Sequence, residues 1–149
     1  MKLRSTASIA LVLASLAGCG GGGGGSAAHT AAPPSTPRVT LDLKGGGNET
    51  ATGCGATHHF AVLPRGRPVR FSGDVTPVPS ARWKVKVKLK VCTRSTAREV
   101  AKVEATRDKS TGHFSGSARV AAGRYFARAT LYIDGARAAR SDKRHFVVR

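Results

Sequence analysis

The chain has 149 residues and carries 25 lysines and arginines against 8 acidic residues, for a formal net charge of +17. This length accommodates one domain of ordinary size, and the positive charge favours anionic partners. The acidic residues are scattered singly, and neither a Gly-x-Ser-x-Gly nor a His-Glu-x-x-His motif is present. The sequence therefore predicts a protein that is not an enzyme.

The N-terminus has the pattern of a secretion signal. Lys2 and Arg4 precede a short apolar run over residues 9–16, which is too short to span a bilayer. The run ends in Leu16-Ala17-Gly18-Cys19, which resembles the lipobox of bacterial lipoproteins. The resemblance implies cleavage before Cys19, a diacylglycerol on its sulfur and a further acyl chain such as palmitate on the new amino terminus. It also implies an exported protein anchored to the bacterial cell envelope, at the cell membrane or the outer membrane. An ordinary signal peptide is the alternative.

A glycine-rich segment follows the lipobox. Residues 20–37 carry no charge and almost nothing to bury, so they predict a disordered tether with a root-mean-square reach of roughly 20 to 25 Å. The predicted domain organisation is a signal peptide over 1–18, the lipidated cysteine and linker over 19–37, and a folded domain over 38–149.

The folded domain shows the alternation of apolar and polar residues that is typical of half-buried strands. The clearest case covers residues 83–91, where Trp83, Val85, Val87, Leu89 and Val91 share one face and Lys84, Lys86, Lys88 and Lys90 share the other. Other strands are predicted over 39–43, 57–63 with Phe60 and Val62 inward, 69–75, 101–105, 114–120, 125–133 and 145–148. These segments predict an all-β fold, an antiparallel sandwich of about seven strands.

Four short motifs in this region carry a second resemblance. They are FSGDVTP at 71–77, TGHF at 111–114, GRY at 123–125 and FVV at 146–148. Together they resemble the bacterial immunoglobulin-like domains of envelope and secreted proteins. The resemblance implies an immunoglobulin-like sandwich in which Tyr125 is the tyrosine of a Gly-x-Tyr that opens a late strand. The cysteines do not flank Trp83 as they do in antibody domains, so antibody-like binding through loops does not carry over.

The remaining cysteines, Cys54 and Cys92, form an even pair in an exported protein, which predicts a disulfide between them. Cys92 shares the lysine side of its strand, so the bond is expected to clip a strand end or an edge. Metal binding through Cys54, His58 and His59 is an alternative, although adjacent histidines in a strand point to opposite faces. No metal or cofactor is predicted.

The lysine row is the strongest functional signal. It predicts a non-catalytic envelope module that binds an anionic partner, such as a cell-wall polymer, lipopolysaccharide, phospholipid head groups or an acidic protein. Arg65, Arg67, Arg70 and Arg82 are expected to extend the row. Further basic residues load the C-terminal hairpin, namely Arg124, Arg128, Arg137, Arg140, Lys143, Arg144 and Arg149. The alternative is a structural or protein-interaction module in which the lysines only keep a sheet edge soluble. One tryptophan, two tyrosines and five phenylalanines offer few stacking platforms, which disfavours nucleic acid.

Overall fold

The computed structural model describes residues 35–93 and 96–149. The predicted signal peptide, the lipobox with Cys19 and nearly all of the predicted tether lie outside the described residues. Within the described ranges every helix or strand element is a strand, and no helix is long and apolar enough to cross a membrane. The first strand begins at Arg38, where the sequence predicts that the folded domain starts.

The strands pair into two sheets that face each other. They are β1 (Arg38–Val39), β2 (Asp42–Lys44), β3 (Gly46–Gly53), β4 (Ala56–Leu63), β5 (Val69–Thr76), β6 (Trp83–Cys92), β7 (Ala97–Glu104), β8 (Thr106–Arg107), β9 (His113–Ala118), β10 (Gly123–Ile133), β11 (Ala136–Arg140) and β12 (Arg144–Val148). The five-stranded sheet has the order β1-β5-β9-β8, with β2 also paired to β5. The seven-stranded sheet has the order β3-β4-β12-β10-β6-β7, with β11 also paired to β10. All pairs are antiparallel except β4 with β12, which confirms the predicted all-β sandwich.

The core lies between the two sheets and is built from alternate residues of the central strands. On β6, Val85, Val87 and Leu89 are fully buried while the lysines between them remain partly exposed. Burying each such side chain stabilises the fold by about 1.5 to 3 kcal/mol. The predicted inward and outward sides of β5, β6 and β10 are therefore confirmed.

Two phenylalanines of the five-stranded sheet pack over glycines on the neighbouring strand. Phe71 pairs with Gly116, and Gly73 pairs with Phe114, in register across β5 and β9. A Cβ atom at Gly116 would lie 2.6 Å from the Phe71 ring, and one at Gly73 would lie 2.6 Å from the Phe114 ring. These glycines leave the space that the two rings fill.

The predicted facing of strand β4 is wrong. Ala61 and Leu63 face the core between the sheets, whereas Phe60 is fully buried outside that core and Val62 lies on the same side as Phe60. The physical reason is that only residues 61–63 of β4 pair with β12. The preceding part of β4 leaves the plane of the sheet with β3, and it buries Phe60 against the outer surface of the seven-stranded sheet, near His145.

This projecting hairpin is named here the arm, and it comprises β3, the turn at Cys54 and Gly55, and residues 56–60 of β4. Both turn residues have positive φ, at 55° and 86°, as a two-residue hairpin turn requires.

In a flat sheet β4 and β6 would be about 14 Å apart, since two strands lie between them. The Cα atoms of Cys54 and Cys92 are nevertheless 4.7 Å apart and their sulfurs are bonded. The predicted disulfide is confirmed at a strand end, and it pins the arm across the outer face of the sheet.

Candidate functional site

The outer face of the seven-stranded sheet is strongly basic. Strand register puts the β6 lysines beside β10 and β7, with Arg128 opposite Lys88, Lys102 opposite Lys88 on the other side, and Arg140 opposite Thr130. We call this surface the cationic face. Its ten cations are Lys84, Lys86, Lys88, Lys90, Lys102, Arg124, Arg128, Arg137 and Arg140, together with Lys143, which lines a depression on this face. The register places two carboxylates there, Glu99 and Glu104.

The two carboxylates neutralise half of the lysine row. The Lys88 ammonium lies 2.7 Å from a Glu99 oxygen, and the Lys84 ammonium lies 3.8 Å from a Glu104 oxygen. The hydrogen bond from Lys88 lowers the pKa of Glu99, and the charges of nearby lysines lower it further. The Lys86 ammonium lies over the Tyr132 ring at 5.4 Å. Lys90 has no salt-bridge partner among the described residues.

The tip of the arm, at Cys54, borders a groove of about 450 Å³ on this face, which we call the basic groove. This volume is in the range of small-ligand sites. Its described lining includes no carboxylate. The lining residues are Cys54, Lys88, Lys90, Thr96, Ala97, Phe126, Arg128, Thr130, Tyr132, Arg140 and Lys143.

Arg128 is a half-buried cation of the groove. It extends from the middle of β10, and its Nε atom is buried without a hydrogen-bond partner among the described residues. A buried donor without an acceptor is costly, and a guanidinium presents its donors as a fork that matches carboxylate or phosphate oxygens. Arg128 lines the groove, so the terminal N–H groups of this fork, and not the enclosed Nε, are the donors that an anion there would meet.

Aromatic rings pack where the arm crosses the sheet. The rings of His58 on β4 and His145 on β12 stack with centroids 3.8 Å apart and an angle of 10°. Burial, followed by the charges of His58 and Lys143, lowers the pKa of His145 to about 4. The Lys143 ammonium lies 4.9 Å from the centre of the Phe126 ring, which belongs to the groove lining. At neutral pH His145 is therefore uncharged, and the positive charge beside it belongs to Lys143.

The structure separates the residues that the sequence predicts as one anion-binding set. Lys84, Lys86, Lys88 and Lys90 do share a face. Arg82 directly precedes their strand and lines one depression with Lys84 and Glu104, so it lies at the end of the row. Arg67 lines a different depression, together with Lys44 and Arg70. Arg70 lies on the outer side of β5 in the other sheet, opposite Ser117 and Lys44, so it does not extend the row.

The convergence of Arg128, Arg140 and Lys143 with Lys88 and Lys90 was not predicted from the sequence. The alternation along β10 indicates that Arg128 points outward, but it contains no information on which strand lies beside β10. The basic groove depends on that strand order and on the arm, and both are long-range features.

The alternative metal site lacks its sulfur ligand. The Cys54 sulfur is part of the disulfide, and His59 lies on the opposite side of β4 from His58, within 3.0 Å of the Thr50 hydroxyl. In the ranges that the structure describes, no three His, Cys, Asp or Glu side chains are placed to share a metal ion.

Comparison with protein-family models gives no match, and a search of curated proteins finds no significantly similar sequence. The function is therefore inferred from the geometry of the cationic face and from the sequence motifs.

Proposed function

We propose that the chain is a non-catalytic, lipid-anchored envelope protein whose basic domain binds an anionic partner. The single observation that supports this most strongly is the composition of the cationic face, where strand register gathers ten cations and only two carboxylates among the described residues. A clustered field of this kind attracts anions more strongly than the same charges would if they were spread over the surface.

Removal of the predicted signal peptide leaves the basic character of the protein intact. Residues 1–18 contain Lys2 and Arg4, so the remaining chain has 23 basic residues against 8 acidic ones, a net charge of +15. Most of these charges lie near the surface, where salt screens them over about 10 Å at 0.1 M. Binding should therefore be tight at low ionic strength and weaken steadily as salt is added.

The test is retention on an immobilised anionic polymer as a function of salt. The protein should be retained at ~50 mM salt, where the Debye length is longer than at physiological salt. Replacing Lys84, Lys86, Lys88 and Lys90 by glutamine should lower the eluting salt concentration without unfolding the domain.

The matched control removes four charges elsewhere, through Lys44→Gln, Arg67→Gln, Arg70→Gln and Arg119→Gln. These residues are exposed and lie outside the cationic face. The control should elute close to the unmodified protein. Equal losses in both variants would show that only net charge matters, and no retention at ~50 mM salt would contradict the proposal.

The proposed relation to bacterial immunoglobulin-like domains is supported by Tyr125. Its hydroxyl donates a 2.9 Å hydrogen bond to the carbonyl of Ala121, four residues upstream. A tyrosine near the start of a late strand that bonds back to the upstream backbone is the tyrosine corner of immunoglobulin-like sandwiches. The Gly-x-Tyr motif of the sequence thus coincides with a side-chain contact typical of that class.

The proposed anchor is supported by Leu16-Ala17-Gly18-Cys19, and it is tested separately. Expressed in a bacterium, the unmodified chain should fractionate with membranes, and its mature form should carry the mass of the acyl chains. Cys19→Ser should abolish both. A mature protein without acyl chains would contradict the anchor and leave the binding proposal untouched.

One observation favours a second candidate function, a protein-interaction module. The Lys84–Glu104 and Lys88–Glu99 pairs are the pattern expected of charges that keep an exposed sheet soluble. This candidate predicts a specific protein partner whose binding survives high salt.

A further inference from the structure

We propose that the basic groove binds a linear phosphate chain, in which several phosphate groups are joined by ester or anhydride bonds, and that Arg128 and Arg140 hold it. This inference rests on the proposed function and names the ligand class of the same face. The observation that supports it is that five cations line this one groove, which the tip of the arm borders at Cys54.

The charge of the groove requires an anion with several charges. Of its five cations, Lys88 is paired with Glu99 at 2.7 Å. The other four, Lys90, Arg128, Arg140 and Lys143, make no salt bridge to any described carboxylate. A singly charged ion would leave most of this charge uncompensated, whereas each phosphate of a chain contributes at least one negative charge.

The donors of the groove suit phosphate oxygens. Arg128 and Arg140 both line the groove, and Arg140 stands on the neighbouring strand opposite Thr130, two residues further along β10 than Arg128. Guanidinium groups form paired, charge-assisted hydrogen bonds with phosphate, and ammonium groups serve as point charges beside them. Arg128 and Arg140 are therefore placed to hold adjacent phosphates, with Lys90 and Lys143 beside them.

The shape of the groove favours a chain over a membrane surface. The arm rises above the sheet and is fixed at its tip by the disulfide and by a hydrogen bond from the Arg124 guanidinium to the Thr52 carbonyl. A planar layer of head groups would meet the arm before it reached Arg128, whereas a flexible chain can lie along the groove. Lys88 and Lys90 project on the same side at roughly 6.6 to 6.8 Å spacing, which gives the chain repeated contacts.

The test is calorimetric titration of the purified protein at fixed ionic strength with three probes. These are inorganic polyphosphate, orthophosphate at equal phosphorus concentration, and vesicles that contain an anionic phospholipid. We expect polyphosphate to bind and orthophosphate to bind much more weakly. The variant Arg128→Gln with Arg140→Gln should bind polyphosphate at least about tenfold more weakly, since two charge-assisted contacts are removed.

The matched control is Arg67→Gln with Arg70→Gln, which removes the same charge outside the groove. It should change the affinity less than about threefold. Arg128→Lys retains the charge and removes the fork, so it should also weaken binding, and thermal unfolding of each variant verifies the fold.

Three results would overturn the inference. Equal losses in the groove variant and the control would mean that only bulk charge acts. Binding to vesicles without binding to polyphosphate would indicate a lipid surface. Equal binding of orthophosphate and polyphosphate would exclude a chain. The proposed function stands in each of these cases, and it fails together with the inference only if the protein binds no polyanion at all.

Discussion

Ser141 joins two strands along one edge of β10. Strand β11 pairs with residues 130–133 and β12 pairs with residues 123–127, so Ala129 falls in the gap between them. The buried Ser141 fills this gap, because its amide donates to the Ala129 carbonyl and its hydroxyl oxygen accepts from the Ala129 amide, both at 3.0 Å. The hydroxyl in turn donates to the carbonyl of Asp142.

Replacing Ser141 by alanine should lower the free energy of unfolding by about 1 to 3 kcal/mol, since the Ala129 amide would be left buried without an acceptor. Chemical denaturation measures the change. Ser117→Ala is the control, because Ser117 is exposed, and it should change stability by less than about 0.5 kcal/mol. A Ser141→Ala variant as stable as this control would show that the gap closes without the hydroxyl.

His145 makes the stability of the fold depend on pH. Its pKa is lowered to about 4 from the usual 6.5, chiefly by burial. The unfolded chain therefore takes up this proton between pH 6.5 and 4 while the folded chain does not. Stability should be lost as the pH falls through this window, by on the order of 1 to 2 kcal/mol after allowance for solvent screening.

The comparison is with His145→Gln, which cannot take up the proton. The difference in unfolding free energy between the two proteins should change from pH 6.5 to 4 and stay constant from pH 7 to 8. A constant difference over the whole range would contradict the shifted pKa.

At the scale of elements, the arm depends on its disulfide. The bond links residues separated by 38 positions, which predicts about 4 kcal/mol of stabilisation through the unfolded chain. Cys54→Ser with Cys92→Ser should lower the thermal midpoint. Hydrogen exchange should show a larger loss of protection in β3 and the start of β4 than in the distant β5 and β9. Equal changes everywhere would mean that the bond stabilises the domain without holding the arm.

Strand β6 could be predicted from the sequence because its two faces have unambiguous environments. Val85, Val87 and Leu89 are fully buried, and the lysines between them reach solvent, so the alternation in the sequence matches the structure. Strand β3 was not predicted, because its sequence GGNETATG contains glycines and polar residues and pairs only with β4. The predicted facing of β4 was wrong because Phe60, on the arm, is buried against the outer surface of the sheet near His145, which no local pattern reveals.

The candidate site could be predicted only in part, for a related reason. The outward direction of Lys84 to Lys90 follows from the period of a strand. Arg128 lies beside Lys88 because β10 pairs with β6, and the two residues are about 40 positions apart in the chain. The arm that closes the groove exists because Cys54 reaches Cys92, and the even number of cysteines predicted that bond but not its consequence.

Across the whole molecule, the two outer faces differ in charge. The cationic face carries ten cations and two carboxylates, whereas the outer side of the five-stranded sheet carries Arg38, Lys44 and Arg70 with Asp42 and Asp74. There Asp74 lies 3.0 Å from His113, and Asp42 lies 3.1 Å from Arg144 of β12. Arg144 also donates a 2.7 Å hydrogen bond to the Leu41 carbonyl, which ties β12 to the opposite sheet. Under the proposed function, this asymmetry favours approach of an anionic partner to the side that bears the groove.

The most direct test of this account is a titration of the isotopically labelled protein with an anionic polymer, followed by backbone amide chemical shifts. We expect the shifts to concentrate on β6, β10 and the segment around Arg140 and Lys143, and to disappear as salt is raised. Shifts of equal size on β5 and β9, or none at ~50 mM salt, would contradict it.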